Sequence, residues 1–69
     1  MEVSKLWNYI LFYELATEEE LNLITDINGY SEDTLNDVVY ARAGYHTLED
    51  FIKSEYADDY EYFKEEFDN

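Results

Sequence analysis

In 69 residues the chain carries 18 Asp and Glu against 4 Lys and Arg, a formal charge of −14, with no Cys, no Pro, two Gly and one His. The missing Cys removes disulfides, thiolate metal sites and thiol nucleophiles together and fits a reducing compartment, while four cations are too few to neutralise a run of phosphates, which argues against direct nucleic-acid binding. A chain this short buries only about 60% of its unfolded surface, so a large internal substrate pocket is not expected.

Ser4 is a candidate cap for a first helix from Lys5 to about Ala16, in which Leu6, Tyr9, Ile10 and Tyr13 recur at i, i+3, i+4 and i+7. Trp7, Leu11, Phe12 and Leu15 occupy its other faces. A segment apolar almost all round is either central in the fold or half committed to another chain, as in a homodimer. Its Trp, Tyr, Ile and Phe also suit a strand, which competes with the helix that the spacing favours. Thr17 with Glu20 forms a capping-box pattern, and Glu18 and Glu19 put negative charge where the helix dipole favours it. A second helix is therefore expected from Glu18 to about Asn28, with Leu21, Ile24 and Ile27 inward, Leu23 flanking, and Gly29 as a left-handed stop.

Ser31 caps a third helix from Glu32 to about Ala43, whose inner face is Leu35, Val38, Val39 and the aliphatic stem of Arg42, with Gly44 ending it. Thr47 and Asp50 repeat the capping pattern before Leu48, Phe51, Ile52 and Tyr56. From Asp58 onward Tyr60, Phe63 and Phe67 keep a helical stripe, either continuing the fourth helix or forming a short fifth after a break near Ala57. The two junctions Gly29-Tyr30-Ser31 and Gly44-Tyr45-His46-Thr47 share a glycine stop, an aromatic residue and a hydroxyl cap; each Tyr is expected to staple back onto the helix before it. The fold class that follows is all-α: one compact acidic domain over residues 1–69 with four or five short helices.

High net charge with low hydrophobicity marks disorder, but 46% of this chain is apolar and 19% aromatic, enough for large burial per residue. No apolar run reaches the ~18–20 residues that span a bilayer, and no basic region with an apolar stretch and small-residue cleavage site opens the sequence, so a soluble cytoplasmic protein without membrane contact is expected. Asp26 to Asp37 begins and ends like a calcium loop, yet its glycine falls fourth instead of sixth and its last residue is Asp instead of a bidentate Glu, so calcium binding is not expected there. His46, the one side chain with an ordinary pKa near neutrality, falls in an exposed turn, and no cleft is expected around any carboxylate pair. The expectation is a non-enzymatic protein with no cofactor or metal.

The acids hold the strongest signal. Carboxylates three or four residues apart repeat every ~4.5–6 Å along a helix face, and the C-terminal segment supplies two such stripes: Glu55, Asp59, Tyr62 and Glu66, and Asp58, Glu61, Glu65 and Asp68. Asp33 and Asp37 add a pair on the third helix. Like charges at this spacing destabilise a helix, and acids near a helix C-terminus oppose its dipole, so Glu61, Glu65, Glu66 and Asp68 have no evident internal reward. Duplex DNA carries one negative charge per ~1.7 Å of axis, so 14 charges correspond to about 24 Å of duplex, comparable with the roughly 28 Å diameter expected of such a globule. Solubility alone is served by a net charge of about 2–8. Tyr60 and Tyr62 lie among acids about 200° apart on a helix, so at least one is exposed; a Tyr flanked by carboxylates suits an Arg partner.

Ile27-Asn28-Gly29-Tyr30, Thr34-Leu35-Asn36-Asp37 and Tyr40-Ala41-Arg42-Ala43-Gly44-Tyr45, within a span of somewhat under a third of the chain, resemble short acidic, Tyr-rich proteins of phages and mobile elements. More broadly the chain looks like the DNA-mimic inhibitors, a convergent class that includes antirestriction proteins, uracil-DNA glycosylase inhibitor and several anti-CRISPR proteins. That resemblance implies occupation of the basic nucleic-acid groove of a host defence nuclease in the host cytoplasm. The class shares charge and not motif, so no residue role carries over from it. The expected contact residues, from the stripes above, are Glu55, Asp58, Asp59, Glu61, Tyr62, Glu65, Glu66 and Asp68, with Asp33 and Asp37. A different expectation, an adaptor or antitoxin-like module, would use the apolar face of the first segment.

Overall fold

The computed structural model describes residues 2–67, which form five helices and no strand. These are α1 (Val3–Phe12), α2 (Glu18–Asn28), α3 (Glu32–Ala43), α4 (Leu48–Glu55) and α5 (Ala57–Phe67). Leu6 and Ile10 of α1, Leu35, Val38 and Val39 of α3, and Leu48, Phe51 and Ile52 of α4 meet in the core, which Ala16 and Leu21 complete. Helices α1, α3 and α4 thus pack on one another, α2 leans on α3, and α5 folds back on α4. The Cα radius of gyration is 11.4 Å and the long axis 33 Å.

The helix starts follow local chemistry. Thr17 and Glu20 form a reciprocal capping box, the Thr17 hydroxyl accepting from the Glu20 N–H at 3.2 Å and the Glu20 carboxylate from the Thr17 N–H at 3.1 Å. Ser31 accepts from the Thr34 N–H at 3.2 Å, and Thr47 from the Asp50 N–H at 3.1 Å. Each bond satisfies a donor that the first helical turn leaves unpaired. Ser4 does not cap: α1 begins at Val3, with Glu2 in the cap position and no side-chain cap bond.

The stop of α1 falls four residues before the expected Ala16. Glu14 takes φ +57°, its N–H donates to the Leu11 carbonyl at 3.1 Å, and the Leu15 N–H reaches back to Ile10 at 3.0 Å. These two bonds make a Schellman ending, whose left-handed position is usually Gly and is here a glutamate. At the other stops, Gly44 is left-handed (φ +82°, ψ 10°), whereas Gly29 has φ +99° and ψ 149°, outside the left-handed helical region. The two junctions are therefore different turns. Their tyrosines also meet different rings: Tyr30 lies 5.8 Å from the ring of Trp7 in α1, and Tyr45 lies 5.9 Å from Phe51 in the helix that follows it.

Single-residue separation at Tyr56 makes α5 a helix of its own. Tyr56, expected inside, is 43% exposed, although its ring remains 4.7 Å from Tyr13. Trp7, Leu11 and Leu15 pack against the core, so the all-round apolarity of α1 reflects its central place and leaves Phe12 as its one strongly exposed large apolar side chain. Ile27 departs furthest from expectation: it is 73% exposed, and Leu23 beside it 62%. The side chain of Arg42 is also turned outward, pairing with Glu20 of α2.

A non-glycine residue held left-handed costs about 1–2 kcal/mol, part of which glycine returns as backbone entropy. Glu14→Gly is expected to raise the unfolding free energy by about 1 kcal/mol in urea titration, and Glu14→Gln by much less. Equal gains from both variants would assign the effect to charge and not to the backbone.

Candidate functional site

Ion pairs absorb little of the charge. Lys5 of α1 meets Glu66 of α5 at 2.6 Å, Arg42 meets Glu20, and Lys64 meets Glu61 at 3.2 Å within α5, all on side chains that are between 37% and 72% exposed. Lys53 lies 5.2 Å over the ring of Tyr60. Each Lys and Arg thus has a partner, and the remaining carboxylates must find donors elsewhere or face solvent.

Tyrosine hydroxyls supply several of those donors. Tyr13, just past the end of α1, donates to Asp59 of α5 at 2.9 Å, Tyr60 of α5 to Glu49 of α4 at 2.9 Å, and Tyr45 to Glu55 of α4 at 3.0 Å. Burial, and then the adjoining Asp59, push the Tyr13 hydroxyl well above its ordinary pKa. Tyr45 is raised chiefly by its bond to Glu55, and Tyr9 by burial. The Lys5 ammonium is raised by its bond to Glu66. In the opposite direction, the Glu20 carboxyl is lowered, first by the Thr17 N–H and then by Arg42.

These contacts redistribute the expected contact residues. The stripe from Glu55 through Asp59 and Tyr62 to Glu66 is not one helix face, because Tyr56 interrupts it and leaves Glu55 on α4. Asp59 is tied by Tyr13 to the end of α1, Glu66 by Lys5 to α1 itself, and Glu61 by Lys64 within α5, so all three have internal partners, contrary to expectation for Glu61 and Glu66. Asp58 and Asp59 stand in the first turn of α5, where the dipole favours them. Asp58, Glu61, Tyr62 and Glu65 remain exposed on α5, with Tyr62 the most exposed large apolar side chain at 81%; Asp68 lies outside the described residues. The expectation of an exposed Tyr among these acids is met by Tyr62, while Tyr60 is half-buried.

Asp33 and Asp37 belong to a different surface. They line a groove of about 510 Å³ between α2 and α3, whereas Glu32 and Asn36 on the same helix face a cleft shared with α4 and Phe67. The segment from Asp26 to Asp37 is the end of α2, a three-residue link and the opening of α3. Among the described residues no three His, Cys, Asp or Glu stand together as a metal site. His46 is exposed, its ring stacked 5.0 Å from Tyr40. No helix among the described residues is long and apolar enough to cross a membrane.

The tyrosine donors have no local sequence signal, since Tyr13 and Asp59 are 46 residues apart. A surplus of Tyr in a chain poor in Lys and Arg was the one visible hint. Comparison with protein-family models, curated proteins and solved structures gives no match.

A Tyr hydroxyl whose folded pKa is raised contributes stability that is complete below the unfolded pKa of about 10 and is lost as pH rises through the folded value. Tyr13→Phe is expected to lower stability at neutral pH by about 1 kcal/mol and to flatten the loss above pH 10. Unfolding free energies across that range, alongside tyrosinate absorbance, check both effects. An alkaline limb as steep as the parent's would remove Tyr13 from the account.

Proposed function

We propose that this chain is a stoichiometric inhibitor that presents carboxylates to the basic nucleic-acid-binding surface of a host defence nuclease, a restriction enzyme or an RNA-guided one, in the manner of a DNA mimic. The observation that carries this reading is the outward surplus: all four cations are engaged, and the net charge of −14 is spread on a body 33 Å long. The same length of duplex carries about 19 phosphate charges, so a groove built for DNA meets a similar density of negative charge. Helix α5 is the contact element in this reading. Asp58, Glu61 and Glu65 present carboxylates to Lys and Arg, Glu61 alongside its bond to Lys64, and the exposed Tyr62 ring offers a face on which a guanidinium can stack. Electrostatic steering speeds encounter, and the salt dependence of DNA binding carries over to its mimic.

Competition against labelled duplex for purified restriction and RNA-guided nucleases tests the proposal. The chain is expected to displace DNA at low salt and to lose affinity steeply as salt rises. Asp58→Asn/Glu61→Gln/Tyr62→Ala is expected to weaken displacement by about tenfold or more while keeping the helical circular dichroism. Undiminished displacement by that variant would move the interface off α5, and failure to engage any basic nucleic-acid enzyme at low salt would end the reading.

A further inference from the structure

Helix α2 fully buries one side chain, Leu21, and half-buries Ile24, yet it carries Leu23 at 62% and Ile27 at 73% exposure. These two aliphatics stand one helical turn apart on one face, and Tyr30, 56% exposed, follows just beyond the helix end. Acids border the stripe at the same spacing: Glu19 lies four residues before Leu23 and Asp26 three after it. Next to this stripe runs the groove between α2 and α3, where Ile24 and Val38 lie with Asp33 and Asp37. Glu19, Asp26, Asp33 and Asp37 are exposed and make no side-chain hydrogen bond or ion pair among the described residues. Arg42, the cation of the groove, is already paired with Glu20.

The charge of this surface selects its occupant. A second copy would bring its own −14 against the same acids, so self-association on this face is opposed. No strand edge exists among the described residues, so an incoming segment cannot add to a sheet and must satisfy its own backbone hydrogen bonds, as a helix does. An aliphatic pair at i, i+4 beside a groove is also the relief into which the side-chain ridges of another helix pack.

We propose that the outer face of α2, with its groove against α3, docks a basic amphipathic helix of a partner protein. The partner's aliphatic stripe covers Leu23 and Ile27, and its Lys or Arg side chains reach Glu19 and Asp26 on one side and Asp33 and Asp37 on the other. Burial of the aliphatic centre makes this contact less salt-sensitive than one built on carboxylates alone. The inference does not rest on the reading of α5, because α2 leans on α3 while α5 packs on α4.

The probe is a synthetic helical peptide with a leucine stripe and lysines on its other faces, followed by fluorescence anisotropy at moderate and high salt. Parent protein is expected to bind it, and Leu23→Ser/Ile27→Ser to bind about tenfold or more weakly with unchanged circular dichroism, since both side chains are exposed in the folded chain. Asp33→Asn/Asp37→Asn is expected to weaken binding at moderate salt and to reduce its salt dependence. Phe12→Ser, which removes a comparably exposed side chain from α1, is expected to leave affinity within about twofold. The proposal is overturned if a peptide with serines in place of the leucines binds as tightly, if Leu23→Ser/Ile27→Ser binds like the parent, or if sedimentation gives a parent dimer that this double variant abolishes.

Discussion

Four cationic side chains cannot hold together a chain with eighteen carboxylates, and the interhelical polar contacts follow from that shortage. A carboxylate at a helix seam needs a donor, and where Lys and Arg are absent the uncharged hydroxyl of Tyr fills the role. Tyr13 joins the end of α1 to α5 through Asp59, and Tyr60 joins α5 to α4 through Glu49. The ring of each tyrosine packs against aromatic neighbours while its hydroxyl reaches the acid, so one side chain supplies both apolar burial and a donor to a charge. A lysine there would reduce the net charge as it bound; a tyrosine leaves the charge intact.

Helix α5 shows what this arrangement permits. It fully buries no side chain, and rings hold it in place: Phe63 stands edge-on to Tyr9 at 5.2 Å, while Phe67 stacks on Tyr9 at 6.0 Å and on Tyr60 at 6.1 Å. The aromatic side faces α1 and α4, leaving the opposite side to Asp58, Glu61, Tyr62 and Glu65. Acids on that side repel one another, a cost that the proposed partner would convert into attraction. At the other edge of the molecule α2 is attached mainly through Leu21, and its spare aliphatics lie open.

The sequence was most legible where structure depends on neighbours a few residues apart. Thr17, Ser31 and Thr47 start their helices as read, and the bounds of α2 and α3 match, because a hydroxyl cap needs only the N–H three residues on. The end of α1 was not legible, since Glu14 occupies a left-handed position without the glycine that usually marks it. Amphipathic spacing identified Ile27 as part of an apolar set, but spacing cannot say whether a face is covered. In the candidate site, the exposure of Tyr62 followed from helix geometry. The inward roles of Asp59 and Glu66 depend on Tyr13 and Lys5, far away in the chain, and helical periodicity contains no information about such partners.

The central claim is that the folded chain keeps its negative surplus unneutralised, held by an apolar core and tyrosine donors more than by its few ion pairs. Thermal unfolding as a function of salt addresses it most directly, because raising salt from about 0.01 M to about 1 M shortens the screening length from about 30 Å to about 3 Å. The account predicts a midpoint that climbs with sodium chloride through most of that range, as self-repulsion is screened while hydroxyl–carboxylate bonds and ring contacts persist. A midpoint that falls as salt first rises would contradict it, because that is the behaviour of a fold held by its ion pairs.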